Sequence, residues 1–563
     1  MANNSIFQRN AHRANLQRNA FDLSFSSKFT ASVGMLLPCF CKEVNPNEHF
    51  RINPQMFLRT VPMNSAAYVR LKQYCEFYFV PYRLLWRSFP QFIAGTSNQF
   101  SKVVSDGSKF ISVPQVSFNS ILQTLGNSVI VGSVDSAGYP FKSGAVRLLD
   151  LLGYGINVVN VDSLIAANET KPMNTFMSVF RLAAYQKIYS DYYRNPDYES
   201  VNVSSFNFDT SSVPSSGNLV VDLSVDNLWL RYRDWKKDYF NVVKPSFQGS
   251  DFVSSVFSPL VFSQSVSGSN TEPYVSISTD KNAVPGLVNI GDGSNFIKGF
   301  SIANLRSAYA LDKLYRLMVS AKDGSYSEQM KVRFGIDSPD DDWKSKFIGA
   351  IDAPITISEV ETTADTYDGN EIGSAAGTLY GKGSSLSNGN IDFTATEHGI
   401  IMGIFSILPE CDYASNMIDP FNVKLQRSDF FQPEFADLGK QPTPLYQFMF
   451  NRDTDMSKVL GYNLRYAEYK TSIDSIHGVF NGSSSVDKSN QSYNAWVAPR
   501  NTSLAQYSNG ATVSFFKALP SVLNSVMVQQ YDGTEASDQF LVNANFNVQA
   551  IRPMSIYGEP SLN

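Results

Sequence analysis

Phe540-Leu541-Val542-Asn543-Ala544-Asn545-Phe546-Asn547-Val548-Gln549-Ala550 alternates along its whole length. Phe540, Val542, Ala544, Phe546, Val548 and Ala550 form an apolar set. Asn543, Asn545, Asn547 and Gln549 form a polar one, with Leu541 its single apolar member. Successive side chains of a strand point to opposite faces, so this period of two predicts one dry face and one wet face. That is the signature of a strand in an antiparallel sheet with water on one side.

Other stretches extend the β reading. Gln73–Val80 is short, aromatic and bounded by Pro81, which is strand composition. Ile400–Leu408 is a continuous apolar run, suited to a strand covered on both sides. Ile355–Glu361 reads as a strand with one wet face. Long stretches rich in Ser, Asn, Gly and Asp lie between, notably Gly249–Lys298 and Gly369–Asn390, and these read as loops. Two helices are expected. Ala303–Ala321 places Ala310, Leu311, Leu314, Leu317 and Met318 on one face, and Thr175–Arg194 ends where Asn195-Pro196 disfavours helix. Early strands near residues 50–80 and late ones near 400 and 545 must pair across long connections. A Greek-key sandwich permits this, whereas a parallel α/β sheet would need a regular strand–helix alternation that is missing.

Hydrophobic residues make up 43 % of the 563, which excludes a chain disordered throughout. Charged residues are only 17 %, against ~25 % in ordinary soluble domains, while aromatics reach 13 %. Burial against other chains is one resolution of so much sticky surface. The net charge of −5 means that any contact with nucleic acid comes from a local patch. Met1–Phe21 carries Arg9, Arg13 and Arg18 with no acid before Asp22. It reads either as a solvated terminus or as a basic arm reaching a phosphate backbone. Four cysteines do not make a disulfide framework and fit a reducing compartment. No apolar run approaches the ~18 residues of a membrane span, and no secretory signal precedes the first strands, so cytosolic synthesis is expected.

Motifs that carry chemistry are missing. Gly377–Lys382 has the wrong spacing for a phosphate loop, and Gly291-Asp292-Gly293 lacks the third glycine of a dinucleotide fingerprint. His12, His49, His398 and His477 are scattered. Cys39 and Cys41 are too close for a CxxC pair and read as ordinary thiols. Asp337, Asp340, Asp341 and Asp342 lack the alternating ligands of a calcium loop and read as a solvated turn. Glu359 and Glu361 suggest a glycosidase pair by chemistry, but their surroundings suit a wet strand face better. The expectation is no catalytic residue, no metal and no cofactor.

Seven segments, in order from end to end, carry a family resemblance. They are Phe21–Ser26, Glu76–Trp86, Trp235–Phe240, Asn304–Ala308, Glu397–Gly403, Phe431–Phe435 and Arg552–Leu562. Together they resemble the F-type major capsid protein of the Microviridae, nearest its gokushovirus-like branch. The resemblance implies an all-β chain: one eight-stranded antiparallel jelly-roll β-sandwich, with long loop insertions carrying a few short helices. It implies a T=1 icosahedral shell around circular single-stranded DNA, and no catalysis. Implied partners are further copies of the chain, the DNA genome, a small basic packaging protein, scaffolding and pilot proteins, and a host receptor met by exterior loops. The expected organisation is a basic arm over residues 1–28 and a capsid domain over 29–563. Gly249–Lys298 is the candidate for a threefold protrusion, with Lys102–Lys171 the alternative. Arg9, Arg13, Arg18 and Lys28 are the candidates for DNA contact. The rival reading is a non-viral β-sandwich that binds or cleaves glycans, favoured by the aromatic content but not by any persuasive acid pair.

Overall fold

The computed structural model describes residues 18–94, 113–127, 141–173, 175–209, 220–246 apart from 222, 343–361, 379–436, 439–450, 458–481, 493–500, 510–528 and 538–556, with a few short stretches between 275 and 377. The main sheet uses ten strands. In chain order these are β1 (Asn19–Asp22), β2 (Phe25–Ala31), β3 (Leu37–Val44), β4 (His49–Thr60), β5 (Leu71–Pro81), β6 (Lys346–Glu361), β7 (Leu379–Asn388), β8 (Ile391–Thr394), β9 (Gly399–Pro409) and β10 (Phe540–Arg552).

β10 is the alternating stretch. Every apolar member of the alternation from Phe540 to Ala550 is buried except Leu541, and the amides between them face outward. It lies antiparallel to β4 along its whole length, from Phe540 opposite Thr60 to Ile551 opposite His49. β4 answers with its own alternation, burying Phe50, Ile52, Met56 and Leu58. The other edge of β10 takes β2 beside its first half and β1 beside its second.

From β4 the sheet continues through β7 to β6, then β5, β9 and β3, antiparallel at each step, while β8 pairs with β4 alone, beside β7. β6 joins two groups of strands: its second half pairs with β7 and its first half with β5. The sheet therefore curls, and strands from its two ends face each other. Phe25 of β2 lies 5.7 Å from Phe40 of β3, Phe40 lies 5.1 Å from Phe546 of β10, and Phe29 meets Phe405 of β9 edge-on at 5.4 Å. Such ring pairs add about 0.5–1.5 kcal/mol each beyond the area they bury.

β9 is buried at all its residues, as the continuous apolar run requires. Helices cover the outer side of its group. With α1 (Phe118–Gly126), α2 (Phe141–Leu151), α3 (Val161–Thr170) and α4 (Phe180–Ile188) as the main helices, α2 packs on β3 and α4 on β5 and β9. Tyr185 of α4 donates its hydroxyl to the Leu36 carbonyl at 2.9 Å and accepts from the Arg231 amide at 2.8 Å. Among the described residues no helix is long and apolar enough to cross a membrane.

Four expectations need correction or restriction. Gly369–Asn390 is no loop at its centre, because β7 occupies Leu379–Asn388 with Glu371–Ser374 a further short strand. The pattern of β7 is inverted: Gly381, Gly383, Ser385 and Ser387 face in, and Leu386 faces out at 65 % exposure. Small residues are required there. A Cβ on Gly381 would lie 2.1 Å from the Ser65 carbonyl oxygen, and one on Gly383 2.6 Å from Thr60 Cγ2. The buried serines take hydrogen bonds from Gln73 Nε2, at 3.0 Å to Ser385 and 3.3 Å to Ser387. The expected Thr175 helix starts only at Phe180, because Phe176–Ser178 pairs as a strand with Gln115–Ser117; after Ile188 one π-turn carries the chain to Tyr193, before Asn195-Pro196. The Ala303–Ala321 helix lies outside the described residues apart from Lys313, as does most of Gly249–Lys298, where Leu287–Ile290 pairs with Val275–Ser276 and Phe296–Lys298.

Candidate nucleic-acid and assembly surfaces

The first candidate surface is the wet face of the first strand group. Lys28 points outward from β2, opposite Asn543, which in turn lies opposite Phe57 of β4. Arg18 is exposed just before β1, and its Nη2 donates to the Asn47 carbonyl at 2.7 Å. Asn19 faces Arg552 while Lys28 faces Asn543, so the two cations stand about 30 Å apart along β10 at ~3.4 Å per residue. Arg9 and Arg13 lie outside the described residues.

Residue-by-residue reading missed the neighbours on this face. Arg59 is exposed with its guanidinium 5.0 Å from the Phe57 ring centre, and Lys382 is exposed on β7. Arg51 Nε meets Asp392 Oδ1 at 3.0 Å, and that hydrogen bond holds the Asp392 carboxyl below its ordinary range. Asp22 is lowered likewise by the hydroxyl and amide of Ser24. The polar half of the β10 alternation was the available signal. Its partners on β4 follow only from register.

The second candidate surface is apolar. Phe421, Leu425, Phe431, Phe435, Leu464 and Tyr469 are all exposed, Leu425 at 85 % and Leu464 at 60 %. Short turns hold them. Asp419 accepts from the Phe421 amide at 2.8 Å, and Asp429 Oδ2 accepts from the amides of Leu425 and Gln426 at 3.1 and 2.9 Å. The rings touch one another: Phe421 meets Tyr469 at 5.0 Å, Phe431 meets Tyr466 at 5.1 Å, and Tyr466 meets Tyr469 at 6.1 Å. Beneath them Lys424 pairs with Glu468 at 2.7 Å, both nearly fully buried, so the patch rests on a fixed ion pair. Exposed apolar side chains gathered in this way are a candidate contact surface for another protein.

Among the described residues, those weighed for chemistry do not converge on a site. Glu359 and Glu361 are exposed near the end of β6. His49 Nδ1 bonds Thr394 Oγ1 at 2.9 Å, His477 Nε2 bonds Ser475 Oγ at 3.0 Å, and His398 stands edge-on to Phe89. Cys39 and Cys75 are buried with their sulfurs 3.7 Å apart, and burial pushes the Cys41 thiol up to about 11. The aspartates of 337–342 and His12 lie outside the described residues.

Comparison with known proteins gives these surfaces their context. The profile of a family described as "Capsid protein (F protein)" matches residues 10–152 and 157–562. "Capsid protein VP1" of Chlamydia phage 1 is 24 % identical over 625 aligned residues, covering 98 % of this chain and 96 % of that one. The protein of the same name from Bdellovibrio phage phiMH2K is 22 % identical, covering 97 % of this chain and 95 % of its own. That of Spiroplasma virus 4 is 23 % identical over 47 % of this chain and 46 % of its own. With the family's profile running almost from end to end across a curled antiparallel sheet, this chain belongs to the capsid protein (F protein) family, a family of structural coat subunits and not of enzymes.

Proposed function

We propose that this chain is the major capsid protein of a small phage, and that identical copies close into a T=1 icosahedral shell around a circular single-stranded DNA genome. The observation that carries the self-assembly is the exposed aromatic and aliphatic patch between Phe421 and Tyr469. A chain that stayed alone would leave it in water, whereas a closed shell covers it with a complementary surface of a neighbour. The two strand groups, β2, β10, β4 and β7 with β8 on one side and β6, β5, β9 and β3 on the other, suit the two sheets of a jelly roll. Electron microscopy of the purified chain, with and without DNA, tests the container reading: uniform closed particles support it, and a monomer under every ionic condition overturns it.

Residues 1–28, whose last part runs along the sheet as β1 and the start of β2, act as a basic arm on a single capsid domain over 29–563, with Arg9, Arg13, Arg18 and Lys28 touching the genome. Replacing Arg9, Arg13 and Arg18 with Gln flattens the slope of log affinity against log salt by about 0.7 for each phosphate no longer neutralised, and leaves particles intact. An unchanged slope removes these residues. A small basic packaging protein supplies further positive charge, while scaffolding and pilot proteins join assembly in the host cytoplasm. Of the two insertions proposed for an exterior protrusion that meets a host receptor, Gly249–Lys298 is favoured. Much of the described part of Lys102–Lys171 packs into the core, with Leu125, Phe141, Leu148 and Leu149 fully buried.

A further inference from the structure

Four amides occupy successive outward positions of β10, namely Asn543, Asn545, Asn547 and Gln549. Asn is among the residues that strands disfavour, and Thr or Tyr would serve a half-wet sheet better. Register sets two more amides beside them on β4, Gln55 opposite Asn545 and Asn53 opposite Asn547. Six carboxamides thus form one double row, which sheet stability does not explain. A groove of about 610 Å³ follows it, lined by Asp22, Ser24, Asn53, Gln55, Asn545 and Asn547. Asn547 Oδ1 accepts from Ser24 Oγ at 3.3 Å, while Asn543 Oδ1 is shielded from water with no donor.

Charge indicates what the row meets. Lys28 stands beside Asn543, Arg59 stands opposite Leu541 one step further along, and Lys382 lies on β7. Asp392 is paired with Arg51, and Asp22, held in its charged form by Ser24, lies opposite Gln549, at the end of the row away from Lys28. A second copy of the same face would set cation against cation, whereas phosphates complement it. Each carboxamide carries both a donor and an acceptor, so by turning its end it can match the open edge of any unpaired base. In a duplex the Watson–Crick edges are closed, and the edges left open lie within the grooves.

We propose that this amide row is a docking face for unpaired nucleic acid, in which the carboxamides meet base edges while Lys28 and Arg59 meet phosphates. The proposal rests on the reading of the chain as the coat of a single-stranded genome. The test uses the unassembled full chain and a fluorescent single-stranded oligonucleotide over a salt series, with a duplex of the same length as control. Replacing Gln55, Asn545 and Asn547 together with Thr removes three hydrogen bonds, together worth about a tenfold loss of affinity. The salt slope stays as in the wild type, because the cations that meet phosphate are untouched. Lys28→Gln with Arg59→Gln does the reverse, lowering the slope by about 1.4. Asn545→Asp, which keeps the side chain's shape and adds a negative charge, also weakens binding. Duplex affinity is weaker from the start and indifferent to the Thr variant. Single-strand affinity unchanged by the Thr variant, or reduced equally for both probes, overturns the docking face. A wild-type chain that stays a monomer under every ionic condition overturns the container reading instead.

Discussion

Replacing Leu425 with Ser separates assembly from folding. The side chain is 85 % exposed, and its backbone amide donates to Asp429 Oδ2 whatever the side chain is, so the turn that presents it survives the change. The fold is expected to lose no more than about 0.5 kcal/mol, as surface substitutions usually do. Assembly loses more. Leu exceeds Ser by about three carbons, each worth ~0.8 kcal/mol on burial, and with 85 % of the residue available to a partner this comes to about 2 kcal/mol for one such site per subunit. At ~1.4 kcal/mol per factor of ten, the concentration at which particles first form rises about thirtyfold. Light scattering across a dilution series measures that threshold, and urea unfolding of unassembled subunits measures the fold. Particles forming at the wild-type threshold would refute the assignment of this patch to the interface. A threshold raised only in step with reduced folding stability would refute the separation of the two.

Other outcomes follow from buried sites. Arg500 is buried, donating to Asn241 Oδ1, the Phe515 carbonyl and Tyr413, with the Phe515 ring 4.2 Å away. Arg500→Met keeps volume but orphans those acceptors, and urea unfolding is expected to show a loss of about 3–5 kcal/mol. Gly381→Val sets a Cβ against the Ser65 carbonyl, so hydrogen exchange of β7 should speed up and soluble yield should fall, whereas Ser384→Val on the exposed side of the same strand should be neutral. Burial raises the Cys41 thiol from 9.0 to about 11, so the thiolate is scarce at pH 8 and alkylation there should run about a hundredfold slower than after unfolding. Equal rates in the two states would show that the thiol is open to solvent.

The alternation of residues 540–550 and the apolar run of 400–408 were legible because hydropathy repeats at the period of the strand, and both strands behave accordingly. The inverted β7 was not legible. Gly and Ser in a row look like a loop until Ser65 and Thr60 are seen pressing on that strand from distant parts of the chain. The candidate surfaces were half legible. Asn543, Asn545, Asn547 and Gln549 announce a wet face, yet their pairing with Gln55 and Asn53 joins residues nearly five hundred positions apart. Phe431 and Phe435 stand out in the sequence only as part of a resemblance, since a phenylalanine bound for the core and one left for a neighbour have the same hydropathy.

Local composition alone determined that this is a β protein with one wet sheet face, little charge and no assembled catalytic motif, because strand periodicity is a property of adjacent residues. Which amides stand side by side, which small residues sit inside and which rings remain uncovered were decided only by the tertiary structure. Those properties depend on strand register and on what other segments cover, and both are set by contacts between parts of the chain that carry no record of each other in their own composition.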